Sequence, residues 1–85
     1  MAMQVTVRYF AALREALGSS ETVGLPAGAS VGALRDLLLQ RGGRHAELLA
    51  RQRAVRCAVD QVMADEDAAL RDGAEVAFFP PVTGG

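Results

Sequence analysis

The residues best placed to take part in chemistry are the last six, Pro80-Pro81-Val82-Thr83-Gly84-Gly85. Two prolines favour a stiff, extended segment, and the glycine pair leaves a thin chain with no side chains beside the carboxylate. We expect such a segment to enter a narrow channel in another protein. A bulky residue at either glycine position would block an activating enzyme from placing the carboxylate of Gly85 against the phosphates of ATP.

Other groups that could do chemistry are few. The single cysteine excludes an intrachain disulfide, a cysteine-based zinc site and a CxxC motif. Cys57 lies in a strand-like stretch and is interpreted as a buried structural thiol. Asp65-Glu66-Asp67 lacks the ligand spacing of a calcium loop and is interpreted as a solvated turn, and His45 as a surface residue. No metal site is predicted.

The charge of the chain is close to balanced. The formal net charge is −1 and all nine basic residues are Arg, which gives no reason to expect nucleic acid or an anionic membrane as a partner. Arg51, Arg53 and Arg56 form a local basic stretch that could steer an acidic partner or a phosphate, although most such runs are solvated surface. The apolar runs are short and the first residues lack the features of a signal peptide, so a cytoplasmic location is expected.

The elements that must position the tail follow from hydrophobic spacing. Residues 3–10 alternate between apolar and polar side chains, which is typical of a strand with one buried face. Ser30 is a good N-cap for the main helix, whose apolar stripe is Val31, Leu34, Leu37 and Leu38. The predicted elements are strands at 3–10, 21–25, 54–59, 61–64 and 74–79, the main helix at 31–41, and shorter helices at 11–17 and 44–52.

This order of elements predicts an α+β fold of the β-grasp type, with a mixed sheet of four to five strands packed on one main helix. A ferredoxin-like fold with two helices is the nearest alternative. One domain is expected at 1–79, and a flexible, extended tail at 80–85.

Two aromatic residues at strand ends form a second candidate site. Phe10 shares the parity of the polar residues in the first strand, and Phe79 points away from the core side of Val76 and Phe78. Because the first and last strands of a β-grasp sheet are neighbours, both rings are expected to be exposed together beside the tail. Exposed apolar patches of this kind usually mark a partner surface.

Two stretches of the chain resemble a known family. The ending AEVAFFPPVTGG, with LRDG just before it, and the opening VTVRYFAALREALG are similar to the small subunits of molybdopterin synthase, the MoaD-type sulfur carriers. Thiamin-type carriers also end in Gly-Gly but are shorter and lack the Phe-Phe-Pro-Pro segment. The family usually has Asn at the position of Asp60, and Met63 matches a further apolar contact position of the family.

The resemblance implies a ubiquitin-like β-grasp protein that carries sulfur rather than catalyses. It implies that an E1-like activating enzyme uses ATP to adenylate Gly85, and that a sulfur donor such as a cysteine desulfurase or a rhodanese converts the adenylate to a thiocarboxylate. Residues 80–84 would then insert into the large subunit of the synthase, in a heterotetramer, where the sulfur builds the molybdopterin dithiolene. No permanently bound cofactor is implied.

Three alternatives stay open at this point. The chain could carry sulfur for another pathway, of the thiamin or cysteine type. It could be a ubiquitin-like modifier joined through Gly85 to lysines of target proteins, although the absence of Lys excludes polymers linked through its own side chains. It could also be a β-grasp interaction module whose tail is inert.

Overall fold

The computed structural model of the protein describes residues 2–80. Its elements, in chain order, are β1 (Ala2–Tyr9), α1 (Ala11–Leu17), β2 (Ser20–Pro26), α2 (Val31–Leu39), α3 (Gly43–Leu49), β3 (Arg56–Val59), β4 (Val62–Ala64) and β5 (Glu75–Phe79). The five strands form one sheet in the order β2-β1-β5-β3-β4. Strands β1 and β5 are parallel and the other neighbours are antiparallel. The predicted α+β fold with a mixed sheet is confirmed, whereas the division at residue 79 stays a prediction.

The core lies between one face of the sheet and the helices. The alternation predicted for the first strand is present, because the apolar positions of β1 are all buried, namely Met3, Val5, Val7 and Tyr9. In α2, Val31, Leu34 and Leu38 are fully buried and Leu37 is partly buried. Burying one such side chain stabilises the fold by about 1.5–3 kcal/mol. Helix α2 is therefore the main helix that the sequence predicted.

Three predicted boundaries are wrong by two or three residues. Helix α3 ends at Leu49 rather than at 52. Helix α2 ends at Leu39 rather than at 41, and the left-handed conformation of Gly42, with φ of 70°, turns the chain into α3. Strand β3 begins at Arg56 rather than at 54, because Val55 is part of a turn in which its N–H donates to the carbonyl of Arg53 at 2.8 Å. The loop before β3 is consequently longer than predicted.

Asp60 and Gln61 form the two-residue turn between β3 and β4, with φ of 48° and 71°. Asp is among the residues that tolerate this left-handed region best. The Asp60 Oδ1 atom accepts a hydrogen bond from the Glu75 N–H at 2.9 Å, and the Asp60 N–H donates to the Glu75 carbonyl at 2.8 Å. Asp60 therefore connects this turn to β5 through both its side chain and its backbone.

A buried arginine joins three segments, and the sequence did not predict it. Arg35 in α2 is only 5% exposed, and it donates to the carbonyls of Leu49 and Ala50 at 2.7 and 2.8 Å. Its Nη1 atom lies 3.2 Å from Glu66 Oε2, and Arg51 binds the other oxygen of Glu66 at 2.7 Å. The interpretation of 65–67 as a solvated turn is confirmed for Asp65 and Asp67, which are exposed, but not for Glu66, which fixes the loop after α3 to the helix.

A second polar cluster surrounds Glu21 on β2. Its Oε2 atom accepts a hydrogen bond from the Tyr9 hydroxyl at 2.8 Å and lies 3.3 Å from His45 Nε2, while Arg41 pairs with Oε1. The interpretation of His45 as a surface residue is wrong, because its side chain is 22% exposed and its ring packs edge-on to Tyr9. Partial burial raises the pKa of Glu21, but the hydrogen bonds from Arg41, Tyr9 and His45 outweigh it and hold the pKa below its ordinary value.

We expect Glu21→Gln to lower the free energy of unfolding near neutral pH by about 1–3 kcal/mol, as for other lost hydrogen bonds to charged groups. Because the folded pKa lies below the ordinary value of 4.5, the carboxylate stabilises the fold above that pH. Its contribution is lost as the pH falls through the lowered folded value. Urea unfolding of the wild type and the variant between neutral pH and the acid range should show that the free energy of unfolding of the variant falls less steeply with falling pH. The exposed Glu47→Gln is the control, and an unchanged pH slope in Glu21→Gln would contradict the assignment.

Candidate functional site

The tail leaves the sheet from its middle strand. Strand β5 runs parallel to β1, with Phe78 beside Tyr9, and the Phe10 N–H donates to the Phe78 carbonyl at 3.2 Å. β5 ends at Phe79, and Pro80 follows as a partly buried residue. The predicted tail residues Pro81, Val82, Thr83, Gly84 and Gly85 lie outside the described residues, so the roles given to them stay predictions.

The three predicted interface residues lie on the sheet face that the helices leave open. Phe10 is 38% exposed and Met63 is 52% exposed, and Phe79 is partly buried. Phe10 follows β1 directly and caps α1 rather than ending the strand. We call these residues, together with the two alanines that lie between them, the outer patch: Phe10, Ala58, Met63, Ala77 and Phe79.

The two alanines make the outer patch continuous. The strand register places Arg8, Ala77, Ala58 and Met63 in one row across β1, β5, β3 and β4. Ala58 is only 8% exposed although it faces away from the helices. Sequence reasoning did not find these residues, and their alternation with Val76, Phe78 and Cys57 is the signal that could have done so.

Charged side chains frame the aromatic end of the outer patch. The Arg8 guanidinium lies 5.5 Å from the centre of the Phe10 ring, at the distance of a cation–π contact. Arg8 also lies 3.7 Å from Glu75, and Arg56 stands opposite Phe79 in the register. Ala11, which follows Phe10, has a φ of 54°, a region that costs a residue with a side chain about 1–2 kcal/mol. The contact with Arg8 and the hydrogen bond from the Phe10 N–H to the Phe78 carbonyl fix the position of Phe10.

Cys57 has the environment of a structural thiol, as predicted. It is 7% exposed, and its Sγ donates to the Ala64 carbonyl at 3.2 Å. Burial raises the pKa of Cys57, and nearby Glu66 acts in the same direction. Because the thiolate is the reactive form, a raised pKa makes this residue a poor nucleophile.

Within residues 2–80 no group of three or more His, Cys, Asp or Glu side chains could hold a metal ion. No helix among these residues is long and apolar enough to cross a membrane.

The strand order, the packing of α2 across one face and the exit of the chain from the central strand define a ubiquitin-like β-grasp protein. The fold is shared at a TM-score of 0.61 with a ubiquitin from Caldiarchaeum subterraneum that is 14% identical. The chain belongs to the ThiS family, whose model matches residues 7–85.

Two of its relatives indicate where it falls within that family. The molybdopterin synthase sulfur carrier subunit of Escherichia coli is 40% identical over 81 residues, which cover 95% of this chain and 99% of that protein. A solved complex of subunits 1 and 2 of the molybdopterin-converting factor from Helicobacter pylori contains a similar chain. That chain is 25% identical with a TM-score of 0.65, and the match covers 98% of this chain and 100% of that one. The resemblance to molybdopterin synthase small subunits is confirmed.

A third similar structure is that of a protein with a different name. It is the small archaeal modifier protein 1 of Haloferax volcanii, 28% identical with a TM-score of 0.70. The match covers 94% of this chain and 99% of that chain. The same fold therefore occurs in a protein named as a modifier.

Proposed function

We propose that this chain is the sulfur carrier subunit of a molybdopterin synthase and that its reactive group is the carboxylate of Gly85. The observation that carries the proposal is the extent of the similarity. The family match runs through residue 85, and the Escherichia coli carrier aligns over nearly its whole length. The site supports the same function, since the central strand ends beside an exposed apolar patch on which a partner can hold the tail.

The proposed chemistry takes place on the terminal acyl group. An activating enzyme joins the Gly85 carboxylate to the α-phosphate of ATP, and pyrophosphate leaves. A persulfide donor then attacks the acyl carbon, AMP leaves, and cleavage of the resulting acyl disulfide by a thiol gives the thiocarboxylate. ATP is bound by the activating enzyme, so this chain needs no resident cofactor. The raised pKa of Cys57 fits a chain that supplies no nucleophile of its own.

The proposed partners follow from these steps. They are the activating enzyme, a persulfide donor such as a cysteine desulfurase or a rhodanese, and the large subunit of the synthase, with which the chain would form a heterotetramer in the cytoplasm. The solved complex of subunits 1 and 2 from Helicobacter pylori supports the large-subunit partner. Residues 80–84 would enter the active site of that subunit, which supplies the catalytic side chains, and the outer patch would rest on its surface.

The test is the intact mass of the chain after incubation with the activating enzyme, ATP and a persulfide donor. We expect one oxygen to be exchanged for sulfur, and fragmentation should place the sulfur on Gly85. Cys57→Ser is the matched control and should gain the same mass, because the thiol fills the core and takes no part. A hydroxyl there can donate to the Ala64 carbonyl as the thiol does, so the loss of stability should be about 1 kcal/mol. Sulfur on Cys57 in the wild type, or a stable Cys57→Ser chain that gains none, would contradict the proposal.

The similarity to the Haloferax volcanii modifier favours one alternative, attachment of Gly85 to lysines of other proteins. Activation without a persulfide donor, in the presence of cell proteins, separates the two functions. Conjugates of higher mass that contain this chain are expected only for a modifier. Failure of the large subunit to bind the chain would further favour that function over the carrier.

A further inference from the structure

The base of the tail borders a second apolar surface, on the helix side of the sheet. Pro80 forms one wall of a groove of about 230 Å³, and Ala12 of α1 and Leu48 of α3 form parts of the others. The loop before β3 closes it, and among the described residues 2–80 Arg53 in that loop is the only charged one that lines it. Since Phe79 and Pro80 are consecutive, this groove and the outer patch flank the point where the chain leaves β5.

The groove is built by contacts within the chain and does not need a partner to form. Leu13, 3% exposed, lies at its base. The loop that closes it is anchored where Arg35 binds the Ala50 carbonyl and where Arg51 binds Glu66. A preformed groove loses little conformational entropy when a side chain enters it, which favours binding.

The charge at the rim of the groove is available to a partner. Arg51 is engaged by Asp36 and Glu66, and Arg35 by Glu66, so both are used by the fold. Arg53, two residues after Arg51, is exposed, and its guanidinium has no ion pair with any residue of the described range 2–80. A guanidinium beside an apolar groove is complementary to a partner surface on which a carboxylate lies next to an apolar side chain.

We infer that this groove is a second docking surface, which receives an apolar side chain lying next to a carboxylate on the large subunit of the synthase. The inference rests on the proposed function, because that function brings a protein to Pro80. The apolar side chain would fill the space between Ala12, Leu48 and Ala54, and the carboxylate would accept hydrogen bonds from Arg53. With the outer patch bound on the other side, the partner holds the base of the tail from both faces of the sheet and sets the direction in which the tail points.

The test is calorimetric titration of the full chain with the large subunit of molybdopterin synthase. Ala54 is exposed and lines the groove, so the larger side chain of Ala54→Phe fills it. Arg53→Glu reverses the charge at the rim of the groove. We expect each to weaken binding by about tenfold or more, and Arg53→Glu to remove part of the salt dependence. The matched controls are Ala27→Phe and Arg71→Glu, both exposed and both at the opposite end of the sheet. They should bind within about twofold of the wild type.

The outcomes separate this inference from the proposed function. If both groove variants bind like the wild type while Phe79→Ala binds weakly, the groove inference is overturned and the carrier function stands. If the wild-type chain does not bind the large subunit at all, both are overturned.

Two other occupants of the groove are tested on the free protein. Methyl NMR signals of Leu13 and Leu48 should be unchanged in a chain truncated after Pro80, and the free chain should sediment as a monomer. A shift of those signals on truncation would assign the groove to the chain's own tail. A dimer that Ala54→Phe disperses would assign it to a second copy, and either result would overturn the inference.

Discussion

Deleting Gly85, or adding one residue after it, is expected to abolish sulfur transfer without changing the stability of the fold. One residue of extended chain spans about 3.3–3.6 Å, and a misplacement of about 1 Å already slows enzymatic reactions roughly a hundredfold. The acyl carbon would therefore miss both the phosphate of ATP and the sulfur acceptor. The measurement is molybdopterin formation in a reaction reconstituted with the activating enzyme, a persulfide donor and the large subunit.

The control for this change keeps the tail and alters the other end. One residue added before Met1 should leave sulfur transfer at the wild-type rate. The melting temperatures of all the variants should agree, because no strand of the described residues 2–80 contains a changed position. A truncated chain that still supports dithiolene formation would exclude Gly85 as the reactive residue, whatever the fold.

Much of the fold could be predicted because its signals are local. The alternation of side chains in β1 identifies its buried face. The Ser30 hydroxyl accepts a hydrogen bond from the Ala33 N–H at 3.2 Å and so caps the N-terminus of α2. The same parity argument placed Phe79 on the open face of the sheet. Each of these signals depends on residues a few positions apart, which is the range that periodicity and capping report.

The features that were missed depend on contacts far apart in the chain. Arg35 follows Leu34 in α2, and its charged side chain would be expected to lie in solvent. Its burial depends on carbonyls 14 and 15 residues later and on Glu66, 31 residues later. His45 likewise meets Glu21 across 24 positions. Spacing along one segment contains no information about such partners, so the polar clusters and the groove could be found only from the fold.

Replacing either aromatic residue of the outer patch should weaken both proposed complexes, with the large subunit and with the activating enzyme. Truncating a central aromatic residue of an interface commonly costs about 2 kcal/mol, or roughly thirtyfold in affinity, and we expect this for Phe10→Ala and Phe79→Ala. Each partner must receive the same short tail, and the tail leaves the sheet directly after Phe79. Both partners must therefore cover the same surface, and an excess of one should displace the other. Titration calorimetry and competition binding measure both effects.

The protein offers a control that removes exposed apolar surface elsewhere. Val62 is 69% exposed and lies next to Met63 on β4, so its side chain points to the opposite face of the sheet. Val62→Ala should leave both affinities unchanged. Because Phe10 is exposed and Phe79 lies on the face that no helix covers, their replacement should lower the melting temperature by only about 2–4 °C, the effect of a surface substitution. A much larger fall in the melting temperature would show that the ring belongs to the core. Normal binding by well-folded variants would show that the outer patch is not part of the interface, and it would leave the proposed chemistry of Gly85 unaffected.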